Sequence, residues 1–166
     1  MILIALGANI PSPRFGPPAK TLAAALGALE EAGVAVVACS RFYKSAPLPP
    51  SEQPWFVNCV ASVDTAMGPE ALLDALLAIE RRFGRRRRER NAPRVLDLDV
   101  LAYRDMTTGE NKHLELPHPR MHERAFVLLP LAEIAPEWRH PGNGEPLSAL
   151  IEALPGDQMA WPCASE

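Results

Sequence analysis

At 166 residues with 48% hydrophobic content, the chain is long enough for one domain with a sizeable core. Its net charge of -3 argues against a general nucleic-acid binder, and apolar stretches such as Phe126 to Ala132 fall well short of the roughly 20 residues that cross a bilayer. Three scattered cysteines, Cys39, Cys59 and Cys163, form no Cys-x-x-Cys pair, which points to a reducing, cytoplasmic setting rather than a disulfide framework or a zinc site.

Met1 to Leu6 is an apolar run ending in Gly7-Ala8-Asn9, so it reads as a buried strand entering a turn, not as a signal peptide. Pro17-Pro18 opens a helix in which Leu22, Leu26 and Leu29 recur at helical spacing until Gly33. The β-branched and aromatic stretch from Val34 to Val37 and on to Phe42-Tyr43 predicts a second strand, followed by a proline-rich loop from Ser45 to Pro50. Trp55 to Val63 predicts a third strand, with Val57, Cys59, Ala61 and Val63 facing the core. Leu72, Leu76, Ile79 and Phe83 trace the buried stripe of a second helix between Gly68-Pro69 and Gly84, with Glu80 on its flank. A fourth strand is expected over Val95 to Tyr103, a short extra one at Leu114 to Leu116, a third helix over Glu123 to Ile134 and a brief one near Leu147 to Leu154. The order is that of a split βαβ unit, so the expected fold is an α+β, ferredoxin-like antiparallel sheet packed between helices, with residues 1–160 as one domain and 161–166 as a tail.

The chemistry concentrates in one segment. Eight of the 17 basic residues lie between Arg81 and Arg94, either as a solvated charged loop or as a place to hold an anion. Strand alternation puts Asp97 and Asp99 on one face and Leu96, Leu98, Val100 and Ala102 on the other. Two stacked carboxylates repel unless solvent or a cation lies between them, and hard oxygen ligands favour Mg2+. Arginines directly upstream add what a polyphosphate needs. Pro93 stiffens the entry to the strand, and the arginine-rich stretch from Arg85 to Asn91 is expected to act as a lid. Neither Gly-x-Gly-x-x-Gly nor a P-loop pattern is present.

The stretch from Arg90 to Leu101 resembles the signature of the 6-hydroxymethyl-7,8-dihydropterin pyrophosphokinase family: a basic residue, a small residue and proline, then Arg-x-x-Asp-x-Asp and two aliphatics. Ile4 to Asn9, Phe42 to Ser45 with Pro47-Leu48, Asn58, Glu80 with Gly84-Arg85, Leu116-Pro117-His118 and Arg124-Ala125-Phe126 extend the resemblance over nearly the whole chain. It implies an enzyme of folate biosynthesis that moves the terminal two phosphates of ATP to the hydroxymethyl group of a reduced pterin and releases AMP. By position, it implies that Asp97 and Asp99 hold two Mg2+ ions and that Arg85 and Arg94 engage the transferred phosphates. Arg87, Arg90, Val100, His118 and Arg124 then fall on the ATP side, and Ser45, Ala46, Leu48, Phe56, Asn58 and Phe126 on the pterin side. Asn91 stands where some members carry a tryptophan, Phe56 where they carry tyrosine, and Ala46 where they carry proline. The expected partners are these small molecules, with no nucleic acid and no membrane, acting on a monomer. A nucleic-acid-processing module and an interaction domain that binds no Mg-ATP are the competing readings.

Overall fold

The structure, a computed structural model, describes residues 1–85, 92–109 and 112–164. Strand β1 (Ile2–Ala8) lies between β4 (Phe56–Asp64) and β5 (Asp97–Tyr103), antiparallel to both. Two shorter strands, β2 (Ala35–Cys39) and β3 (Tyr43–Ser45), run end to end along the far side of β4, and β6 (Ala160–Pro162) adds to β3. The single strand expected from Val34 to Tyr43 is therefore two. Ser40 explains the break: its backbone N–H still reaches the Val60 carbonyl at 2.9 Å. Its hydroxyl, however, takes the Val60 N–H at 3.0 Å, replacing a ladder partner.

Helices α1 (Pro18–Glu31) and α2 (Pro69–Arg82) cover one face of the sheet, and α3 (Ala125–Ile134) and α4 (Leu147–Glu152) the other. Ile4, Leu6, Cys59, Ala61 and Leu98 pack with Leu22, Leu29, Leu72, Leu76 and Ile79 in the first core. Leu3, Val60 and Leu101 pack with Val127, Leu128, Leu131 and Leu150 in the second. This is the expected ferredoxin-like α+β sandwich, and its two cores explain why both faces of β4 are buried rather than one. Among the described residues, no helix is long and apolar enough to cross a membrane.

Four further expectations need correction. Ala102 does not share a face with Leu96, Leu98 and Val100: the register of β5 on β1 shifts at Leu3/Ile4, and this irregularity sends Leu101 and Ala102 together into the second core. Leu114 to Leu116 is not a strand. The Thr108 hydroxyl accepts the Leu116 N–H at 2.8 Å and donates to the Leu114 carbonyl at 3.0 Å, doing locally what a partner strand would do. The third helix begins at Ala125, because Arg124 is extended and Met121–Glu123 form a separate 3-10 turn. Finally, Ala160–Pro162 is part of the sheet, so the chain is structured past the expected boundary of the tail.

Candidate active site

Where β1 and β5 run side by side, Asp97 is paired with Gly7 and Asp99 with Ala5. Gly7 is in turn paired with Asn58 on β4, and Asn58 with Tyr43 on β3. Neighbouring strands stand about 4.8 Å apart, so one row across the sheet sets Asp97 roughly 10 Å from Asn58 with only glycine between them. The small residue leaves the amide its place: a Cβ on Gly7 would come within 2.8 Å of Asn58 Oδ1. Above this row lies a cleft of about 440 Å³. Arg85, Arg94, Asp97, Asp99, His118 and Arg124 line it toward β5, and Ser45, Ala46, Leu48, Phe56, Asn58 and Phe126 line the rest.

Arg85 owes its place to the end of α2. Gly84 adopts φ +90°, which only glycine enters freely, and donates to the Arg81 carbonyl at 3.0 Å, while Arg85 N–H reaches back to the Glu80 carbonyl at 3.0 Å. This is a Schellman turn. The Arg85 guanidinium then bonds both the Glu80 and the Asp97 carboxylates. Glu80, buried at 3% exposure, also accepts the Leu98 N–H at 2.8 Å and so holds β5 against α2. Burial raises its pKa, opposed by the Leu98 hydrogen bond and the Arg85 charge.

Arg94 comes from the approach to β5. Its guanidinium lies 2.7 Å from Asp97, so both oxygens of that carboxylate are held by arginines. Asn9 fixes its backbone: Asn9 Oδ1 accepts the Arg94 N–H at 2.8 Å, and the Asn9 N–H donates to the Arg94 carbonyl at 3.0 Å. The Asn9 amide extends the clamp to Gln53 and the Pro54 carbonyl. The sequence alone assigns no role to Asn9 or Glu80. Glu80 carried a legible signal, a carboxylate beside an apolar helical stripe.

Asp99 has a pKa pushed up to about 7 by burial and by the carboxylates of Asp97 and Glu80, against which Arg124 and Arg94 pull only partly. His118 moves the opposite way, to about 4, through burial and the charges of Arg124 and Arg120. It is therefore neutral at pH 7. Its Nδ1 accepts the Arg120 N–H at 3.2 Å, which leaves the proton on Nε2. Arg124 extends over the Phe126 ring, 5.4 Å from its centroid. On the opposite wall, the Asn58 amide donates to Ser45 Oγ at 2.6 Å.

Val100 is the one described candidate outside this cleft. Its side chain belongs to the first core and borders only a smaller recess with Lys112, His113 and Glu115. Arg87, Arg90 and Asn91, and with them most of the expected lid, lie outside the described residues.

An antiparallel α+β sandwich with paired carboxylates and converging arginines at one end of its cleft, and an amide and two phenylalanines lining the rest, has the parts of an enzyme that handles phosphates. Residues 3–136 match the family described as 7,8-dihydro-6-hydroxymethylpterin-pyrophosphokinase (HPPK), and the chain belongs to that family. The chain is 41% identical over 163 residues to the 2-amino-4-hydroxy-6-hydroxymethyldihydropteridine pyrophosphokinase of Synechocystis sp., covering 98% of this chain and 80% of that one. It is 44% identical over 155 residues to the Pseudomonas aeruginosa protein of the same name, covering 93% and 91%. The fold is also that of Plasmodium falciparum HPPK-DHPS crystallised with pteroate, at a TM-score of 0.67 and 14% identity, covering 91% of this chain and 43% of that one.

Proposed function

We infer that this chain transfers pyrophosphate from ATP to 6-hydroxymethyl-7,8-dihydropterin, giving the pterin diphosphate and AMP, a step of folate biosynthesis. The pterin hydroxymethyl oxygen forms a bond to the β-phosphorus of ATP. The bond from that phosphorus to the α,β-bridging oxygen breaks, AMP leaves, and the hydroxyl proton passes to solvent. The observation that carries this reading is the shared cleft, with Asp97, Arg85 and Arg94 at one end and Asn58 with Ser45 at the other, Asp97 and Asn58 lying on one row of the sheet with Gly7 between them.

The carboxylates fit a cation. Asp99 sits against two other carboxylates with too little positive charge to hold its proton affinity down, and hard divalent ions relieve that repulsion. Asp97 and Asp99 would hold two Mg2+ ions, which supply charge neutralisation to the phosphates. Arg85 and Arg94, parked on Asp97 in the free chain, turn from carboxylate to phosphate oxygens when the nucleotide arrives. Glu80 keeps Arg85 within reach during that exchange. His118 offers a neutral Nε2–H donor, and Arg124 a cation, to the nucleotide; Arg87 and Arg90 add further contacts, and Val100 contributes only through its backbone. On the pterin side, Phe56 and Phe126 face the ring, Asn58 reads its edge, and Ser45, Ala46 and Leu48 shape the slot.

Calorimetric titration with a non-hydrolysable ATP analogue tests the nucleotide half. Binding is expected with Mg2+ and is expected to be lost with EDTA or in Asp97→Ala; equal binding without the ion would contradict the assignment. The expected setting is a cytoplasmic monomer that engages neither membrane nor nucleic acid.

A further inference from the structure

Residues beyond the family match, which ends at residue 136, touch both walls of the cleft. Gln158 Oε1 accepts the Ala125 N–H at 2.8 Å, and Gln158 Nε2 donates to the Glu123 carbonyl at 2.6 Å. These two bonds bracket Arg124, which stands extended (φ -116°, ψ 112°) between the 3-10 turn and α3. The Ala125 N–H is one of the orphan donors of the α3 N-terminus, where the capping residue offers no side-chain bond of its own. Gln158 supplies the missing acceptor from 33 residues away.

The next residues reach the opposite wall. The Met159 carbonyl accepts the Ala46 N–H at 3.1 Å, and Ala160 pairs with Ser45 on β3. Trp161 packs on Trp55 with ring centroids 5.1 Å apart. One short segment thus ties the start of α3, with Arg124 and Phe126, to the turn after β3, with Ser45 and Ala46.

We propose that Gln158 is a positioning residue for substrate binding, fixing Arg124 and Phe126 and, through Met159 and Ala160, setting their distance from Ser45 and Ala46. This rests on the assignment of Arg124 to ATP and of Phe126, Ser45 and Ala46 to the pterin. A strap that merely stabilised the fold would change the melting midpoint and leave KM values alone. A positioning residue changes KM values.

The test uses the full-length chain with Gln158→Ala, Gln158→Glu and Arg124→Ala, measuring kcat, KM for each substrate and the melting midpoint. Gln158→Ala is expected to raise both KM values about three- to tenfold, with kcat within about twofold. Gln158→Glu keeps the acceptor for Ala125 and loses the donor to Glu123, so intermediate KM values are expected. It also carries the test if the alanine variant fails to fold. Combining Gln158→Ala with Arg124→Ala should leave KM for ATP no worse than Arg124→Ala alone. Wild-type KM values in the Gln158 variants beside an impaired Arg124→Ala would overturn the positioning role and leave the proposed reaction standing. A wild-type KM for ATP in Arg124→Ala would overturn the assignment on which it rests.

Discussion

Arg94 and Asp97, three residues apart, form an ion pair of 2.7 Å at the mouth of β5, and Asn9 locks the Arg94 backbone while the guanidinium holds the carboxylate. Asp97 is thereby stored in a neutralised state shared with Arg85. Replacing it by alanine takes the shared carboxylate from both arginines and removes the proposed oxygen ligand. Asp97→Ala is expected to lower turnover at least about 100-fold, and stability by about 1 to 3 kcal/mol, with an unchanged circular dichroism spectrum. Turnover within about tenfold of wild type would remove Asp97 from the metal site.

Asp99 carries the opposite stability cost. Its folded pKa near 7 lies above the ordinary 3.8, so the folded chain binds the proton more tightly than the unfolded one. The penalty for ionising it is absent below about pH 4, grows as pH rises and is complete above about pH 7. In EDTA at pH 8, Asp99→Asn should melt higher than wild type, with the difference vanishing near pH 4, while turnover with Mg2+ is lost. A lower melting point at pH 8 would show that the carboxylate is already compensated in the free chain.

Gly7 matters for what it lacks. In Gly7→Ala the new methyl group meets Asn58 Oδ1 at 2.8 Å, and the amide, being the end of a side chain, turns away. KM for the pterin is expected to rise about tenfold, as in Asn58→Ala, with KM for ATP within about twofold. An equal loss for both substrates would mean that the sheet, not the amide, had moved.

His118 titrates in the fold near 4 rather than 6.5. Here the unfolded chain binds the proton more tightly, so stability is full above about pH 6.5 and is lost as pH falls toward 4. Against an Asp99→Asn background, which removes the opposing slope, adding His118→Gln should flatten the decline between those values. Denaturant melts at several pH values decide it, and an unchanged slope would place the pH dependence elsewhere.

The sequence made the carboxylate pair legible because strand alternation is a local rule, obeyed at Asp97 and Asp99 and broken only at the β5 irregularity that turns Ala102 over. The two core stripes and the Gly84 stop were legible for the same reason. Other features depend on partners far away in the chain. Nothing near Ser40 says that its hydroxyl will displace a backbone partner on β4. Nothing near Gln158 points to the start of α3. Glu80 could be seen as a charged residue beside a buried stripe, but its bonds to Leu98 and Arg85, and through Arg85 its link to Asp97, needed α2 and β5 brought together. The residues proposed for the pterin were the least legible, since Phe56 and Phe126 read alone as ordinary core residues.

Pyrophosphoryl transfer is read directly from the phosphorus products of ATP, Mg2+ and 6-hydroxymethyl-7,8-dihydropterin, followed by 31P NMR. One AMP is expected for each pterin diphosphate, with no turnover when the pterin is omitted. Formation of ADP, or AMP release that proceeds without the pterin, would contradict the account.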